Sequence, residues 1–170
     1  MTYSVRRLPL SIPVIIPACM TRFLFASAVV LALFAQLAFA QLAVTPLTVK
    51  TDEASHAFTV EIADTPDAIR QGLMNRESLA PGAGMLFDFG EARAASMWMK
   101  NTLIPLDMLY MDDAGQIIAI ARNAVPGSLR SLGPGVPVRA VLEIPGGRAR
   151  ELGITPGDIV EHPIFNKTRG

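Results

Sequence analysis

The feature that most constrains this chain is its punctuation. Between Thr45 and His162 the apolar residues come in short runs, and Gly, Pro, Asn or Asp closes almost every one. Chains broken this way build many short strands more readily than long helices. In the run Ala57–Ala63, Phe58, Val60 and Ile62 alternate with Thr59 and Glu61, the period of a half-buried strand. Similar runs predict strands over 45–51, 85–89, 95–100, 106–111, 116–122, 138–144 and 159–162. Asp112-Asp113-Ala114-Gly115 predicts a hairpin turn with a bulge at Gly115. Thr155-Pro156-Gly157-Asp158 has the Pro-Gly centre of a type II turn.

One segment has a helical signature. Thr65 is a good N-cap, Pro66 suits the first helical position, and Asp67 complements the positive helix end. A short helix is predicted over 66–74, and a single helical turn over 147–152. Residues 123–137, with Pro126, Gly127, Gly133, Pro134, Gly135 and Pro137, read as one long loop. The fold class predicted is mostly β: a compact antiparallel β-sandwich or barrel with one short helix.

A length of 170 residues fits one domain. The first forty read as targeting sequence. From Met20, Thr21-Arg22 leads into the apolar run Phe23–Leu37 and then Ala38-Phe39-Ala40, an A-x-A cleavage site. Met20 is the expected true start, and 41–170 the expected single β-rich domain, periplasmic or secreted, with no stable membrane span after cleavage. A retained anchor is the alternative, since the run approaches spanning length only when counted to Ala40. Arg6, Arg7 and Arg22 fall in that segment and no acid does. Of 15 basic and 15 acidic residues, 41–170 therefore keeps 12 and 15, a formal charge of −3. A mildly acidic domain with no Lys/Arg cluster argues against nucleic acid as a partner. The only Cys is Cys19, outside 41–170, which leaves that part without a disulfide or thiol nucleophile.

Several phrases in order carry a family resemblance: Gln71-Gly72-Leu73-Met74, Gly84-Met85-Leu86-Phe87, Trp98-Met99-Lys100-Asn101-Thr102, Leu106-Asp107, Val141-Leu142-Glu143-Ile144 and Gly153-Ile154-Thr155-Pro156-Gly157-Asp158. Over about residues 44–162 the chain resembles the domain of unknown function 192 family. The resemblance implies a small, mostly β domain, often exported. It brings no activity, cofactor or catalytic residue with it.

The stretch richest in chemistry is Met97–Asp107, which holds the only Trp. If 95–100 and 106–111 paired as neighbouring strands, Lys100 would lie near Asp107. Trp98, Lys100, Asn101, Asp107 and Glu143 are accordingly the candidate binding residues, for a small polar ligand or a protein partner. A carboxylate beside an ammonium can hold a polar ligand. The same residues also have structural readings: Lys100–Asp107 as an ion pair, Asn101 as a turn cap, Trp98 as core. Two further readings stay open. Asp107 or Glu143 could serve as general base of a hydrolase or lyase. Met97, Met99 and Met108 could offer thioethers to Cu(I), against the commoner use of Met as core filler. His56 and His162 have no ligand spacing, and no cofactor or other metal is expected. No G-x-S-x-G or phosphate loop is present.

Overall fold

A computed structural model of the chain describes residues 42–166. The targeting segment expected over 1–40, with Met20 and Cys19, lies outside the described residues. Seven strands form one mixed sheet: β1 (Val44–Lys50), β2 (Ser55–Ala63), β3 (Ala83–Ala94), β4 (Leu106–Met111), β5 (Ile117–Ala124), β6 (Pro137–Pro145) and β7 (Ile159–Glu161). Among the described residues two α-helices accompany it, α1 (Pro66–Gln71) and α2 (Arg148–Glu151), and a 3₁₀ turn, Pro163–Phe165, follows β7. Thr65 caps α1 as its sequence predicts, accepting the Ala68 amide.

The strand order is β5-β4-β6-β3-β2-β1-β7. All pairings are antiparallel except β2–β3, which is parallel because α1 carries the chain back across the sheet. The two edges approach each other through a single bridge, Gln116↔Ile159. The sheet is thus a curled half-barrel, the barrel-like form of the predicted class, and not two stacked sheets.

Curling gives the sheet two cores. Every strand supplies the inner one: Leu47, Val49, Phe58, Val60, Leu86, Leu109, Ile117, Leu142, Ile144 and Val160 are among its buried members. The second core lies on the outer face, where Met85, Phe87, Met99, Met108, Tyr110 and Val141 are covered by α1 and by the segments before β4 and β6. Among the described residues, the two cores and the seven-stranded sheet lie inside the compact unit Leu42–Gly170. A compact unit with buried cores of its own has the character of a domain.

The closing bridge depends on one glycine. Gly115 has φ of 82° and ends the β4–β5 turn, and its carbonyl accepts the Val160 amide at 2.8 Å. A Cβ there would stand 2.4 Å from the Val160 carbonyl oxygen. Gly115→Ala therefore meets both an unfavourable backbone region and a clash with backbone. We expect a loss of about 2 kcal/mol or more in urea unfolding. A loss within experimental error would mean that this edge contact is dispensable.

One expected strand is absent. Residues 95–100 do not enter the sheet; they cross its outer face, held by a bridge between Met97 and Leu132. β6 takes the place beside β4 that this segment was expected to fill. Correspondingly, β3 runs on to Ala94, well past the predicted end at 89.

Candidate functional site

The segment 95–103 positions the first group of side chains. Met97 exchanges both backbone hydrogen bonds with Leu132, and the Met99 amide donates to the Ser128 carbonyl. Met97 and Met99 turn inward to the outer-face core. In extended chain the residue between them must point the other way. Trp98 is therefore 49 % exposed, which corrects the expectation that it is core. The Lys100 ammonium lies 5.2 Å from the centroid of its ring.

Asn101 occupies a left-handed turn, with φ of 56°. Its carbonyl accepts the Asn75 amide, and its side-chain amide approaches the Met74 sulfur at 3.9 Å. It ties the segment to the chain following α1, close to the turn-capping role predicted for it.

Register separates the two carboxylates. Glu143 on β6 pairs across the sheet with Met108 on β4 and Met85 on β3. Cross-strand partners share a face, so Glu143 belongs to the outer face with those methionines. Asp107 is next to Met108 and so faces the opposite way, towards the inner core. The expected meeting of Lys100 with Asp107 does not occur. Asp107 is fully buried and accepts two backbone amides, from Asn123 at 2.6 Å and from Ala149 at 2.8 Å. The second belongs to the first turn of α2, so the carboxylate caps that helix from a neighbouring strand.

Glu143 has a different setting. It is 4 % exposed and makes no side-chain hydrogen bond or ion pair among the described residues. Burial pushes its carboxyl up from 4.5 to about 8, because loss of water around it penalises the charged form. The same surroundings raise the Tyr110 hydroxyl above its ordinary range, first by burial and then by the Glu143 charge. Tyr110 donates to the Leu132 carbonyl at 3.0 Å, which helps hold the covering segment in place.

Glu143 lines a small cavity of about 30 Å³ together with Trp98, Lys100, Thr102, Met74 and Phe87. That is room for about two water molecules. The cavity shares Ile69, Arg70, Met97 and Trp98 with a wider cleft of about 430 Å³, whose wall also includes Phe89 and Arg93. The Arg93 guanidinium stacks 4.1 Å from the centre of the Phe89 ring. The structure thus gathers Trp98, Lys100 and Glu143 around one opening and leaves Asp107 on the other side of the sheet.

Sequence reasoning passed over Thr102, a buried hydroxyl in the cavity wall, and the α1 residues Ile69 and Arg70. Thr102 stands in the phrase Trp98–Thr102 quoted for the family resemblance; Ile69 and Arg70 carried no such signal. A buried ion pair was also missed: Asp88 on β3 with Arg139 on β6, whose guanidinium further donates to the Ile164 carbonyl. The methionines read as packing. Met99 and Met108 are completely buried, and the Met108 sulfur sits 3.7 Å from the Tyr110 hydroxyl oxygen.

No curated protein matches the chain. Solved structures do. One comes from Sinorhizobium meliloti 1021 and is described as a candidate transcription regulator. It is 44 % identical, with a TM-score of 0.72, over 74 % of this chain and 98 % of the other. Another, a protein of unknown function from Novosphingobium aromaticivorans DSM 12444, is 40 % identical with a TM-score of 0.71. That match covers 74 % of this chain and 89 % of the other. The model of domain of unknown function 192, described as an uncharacterized ACR, matches residues 47–162, and the chain belongs to that family.

Proposed function

We propose that this chain is an exported binding domain that takes a small polar ligand at the Glu143 cavity. The single observation that carries the reading is the Glu143 carboxyl itself. It is buried, makes no side-chain hydrogen bond or ion pair among the described residues, and lines a cavity with an exposed Trp and a Lys beside it. A carboxyl with its pKa near 8 is mostly protonated at neutral pH, so it can both donate and accept a hydrogen bond. The cavity admits only a small group such as a hydroxyl or carbonyl. The body of the ligand lies in the adjoining cleft against Phe89, Arg93 and Trp98. Export rests on the Arg22 to Ala40 pattern alone. The transcription-regulator description of one relative gains little support here, since the two described α-helices span only six and four residues.

The test is thermal unfolding of residues 42–170 against sugars, sugar acids and small carboxylic acids. A ligand at about a hundred times its dissociation constant adds roughly 2.7 kcal/mol, a readable rise in midpoint. We expect Glu143→Leu and Trp98→Ala to abolish the rise. Glu143→Gln, which keeps a neutral donor and acceptor, should retain it and hold it above pH 8, where the parent loses it. A ligand bound equally well by Glu143→Leu sinks the proposal.

One observation favours a second reading. A buried carboxyl with its pKa raised to about 8 suits proton transfer near neutral pH, and of the two carboxylates named for the hydrolase or lyase alternative, Asp107 and Glu143, it favours Glu143. Recovery of the bound ligand chemically unchanged after prolonged incubation decides for binding, and turnover decides for catalysis. Cu(I) binding by Met97, Met99 and Met108 would need two fully buried thioethers to leave the core. Absence of affinity in an anaerobic titration would dispose of it.

A further inference from the structure

We propose that the two loops above the outer-face core form a docking surface for an anionic lipid membrane. This goes beyond the ligand reading and does not depend on it. Trp98, Leu103, Val125 and Leu129 are 49, 56, 68 and 69 % exposed. They lie on two segments joined edge to edge: the Met99 amide donates to the Ser128 carbonyl, and the Gly127 amide to the carbonyls of Met99 and Thr102. The Ser96 and Ser131 hydroxyls are bonded at 2.7 Å further along the same seam. Large apolar side chains are thus presented on one braced platform, not scattered singly.

The charge of this platform argues for its occupant. Residues 92–106 and 114–142 contain no Asp or Glu, although residues 41–170 as a whole carry a net negative charge. Lys100 and Arg130, both exposed, lie on the same two loops. Apolar tips with a Trp among them and cations beside them suit the interface of a bilayer. There the ring sits at headgroup level and Lys or Arg meets lipid phosphate. A nucleic acid would use the cations and leave the apolar tips in water.

The only Trp of the chain reports on this surface directly. Residues 42–170 are mixed with vesicles of phosphatidylcholine, with or without phosphatidylglycerol. We expect co-sedimentation with the anionic vesicles at least about tenfold stronger than with neutral ones, and weakening with salt. Trp98 emission should shift to the blue and be quenched by brominated lipid. Val125→Asp with Leu129→Asp should abolish binding while leaving the thermal midpoint unchanged, since both side chains are in solvent. Glu143→Leu should bind vesicles as the parent does, which keeps this result separate from the ligand test. Three results would overturn the proposal: no binding to anionic vesicles, binding unaffected by the paired Asp substitutions, or binding with Trp98 still accessible to aqueous quencher. The first would return the platform to a protein partner.

Discussion

Glu143→Gln is expected to make the protein more stable at alkaline pH, by on the order of a few kcal/mol, while changing little at pH 4–5. In the folded state the carboxyl keeps its proton up to about 8; its ordinary value is 4.5. Between those values the folded chain holds a proton that the unfolded chain has released. Stability from this group is therefore fully present below 4.5 and is lost as pH rises towards 8. The loss is about 1.4 kcal/mol for each pH unit in that window. Gln has nearly the same shape and cannot ionise, so the variant escapes the loss. Urea unfolding at pH 5, 7 and 9 measures the effect. The gap between variant and parent should open steadily over that series. Parallel curves would mean that a cation or bound water satisfies the carboxylate, and the cavity would lose its main claim to be a site.

The second large effect is expected at Asp107. Truncation to Ala removes the acceptor of two backbone amides, one of them the buried amide of Ala149 at the start of α2. An orphaned buried donor costs about 1–3 kcal/mol, and the lost charge-assisted bond to Asn123 adds to it. A total near 3 kcal/mol follows, with Asp107→Asn intermediate because one acceptor remains. Lys100→Met should cost less than about 0.5 kcal/mol, since the side chain is exposed and bonded to no carboxylate among the described residues. The double variant, Lys100→Met with Asp107→Asn, completes the comparison. Additive losses agree with two residues on opposite faces of the sheet, whereas a coupling above about 0.5 kcal/mol would restore the ion pair expected from sequence.

The places where sequence reasoning held are those governed by local chemistry. The Thr65-Pro66 start of α1 needs only its neighbours, and so do the bulge glycine at 115 and the Pro-Gly turn at 156–157, where Gly157 has φ of 105°. Alternation located β2 and β6, and apolar runs on either side of a turn located β4 and β5, all within a few residues, because a strand buried on one face repeats in twos and one buried on both reads as a continuous apolar run. The same alternation misled at 95–100. Met97 and Met99 do share an inward face, yet they pack over the sheet and not within it. An extended segment writes one pattern whether its hydrogen bonds go to a sheet or to a covering loop.

The sequence by itself determined the mostly β class, the helix and turns, the family, and the short list of polar residues near the only Trp. Tertiary structure alone decided which of them meet. Strand order put β6 beside β4, and register set Met108 against Glu143. A slip of one residue would have exchanged the roles of Asp107 and its neighbour, because side chains alternate strictly between faces. That pairing buried Asp107 as the cap of a helix distant in sequence and opened Glu143 onto a cavity under Trp98. Neither outcome is written locally, since both depend on contacts between residues dozens of positions apart.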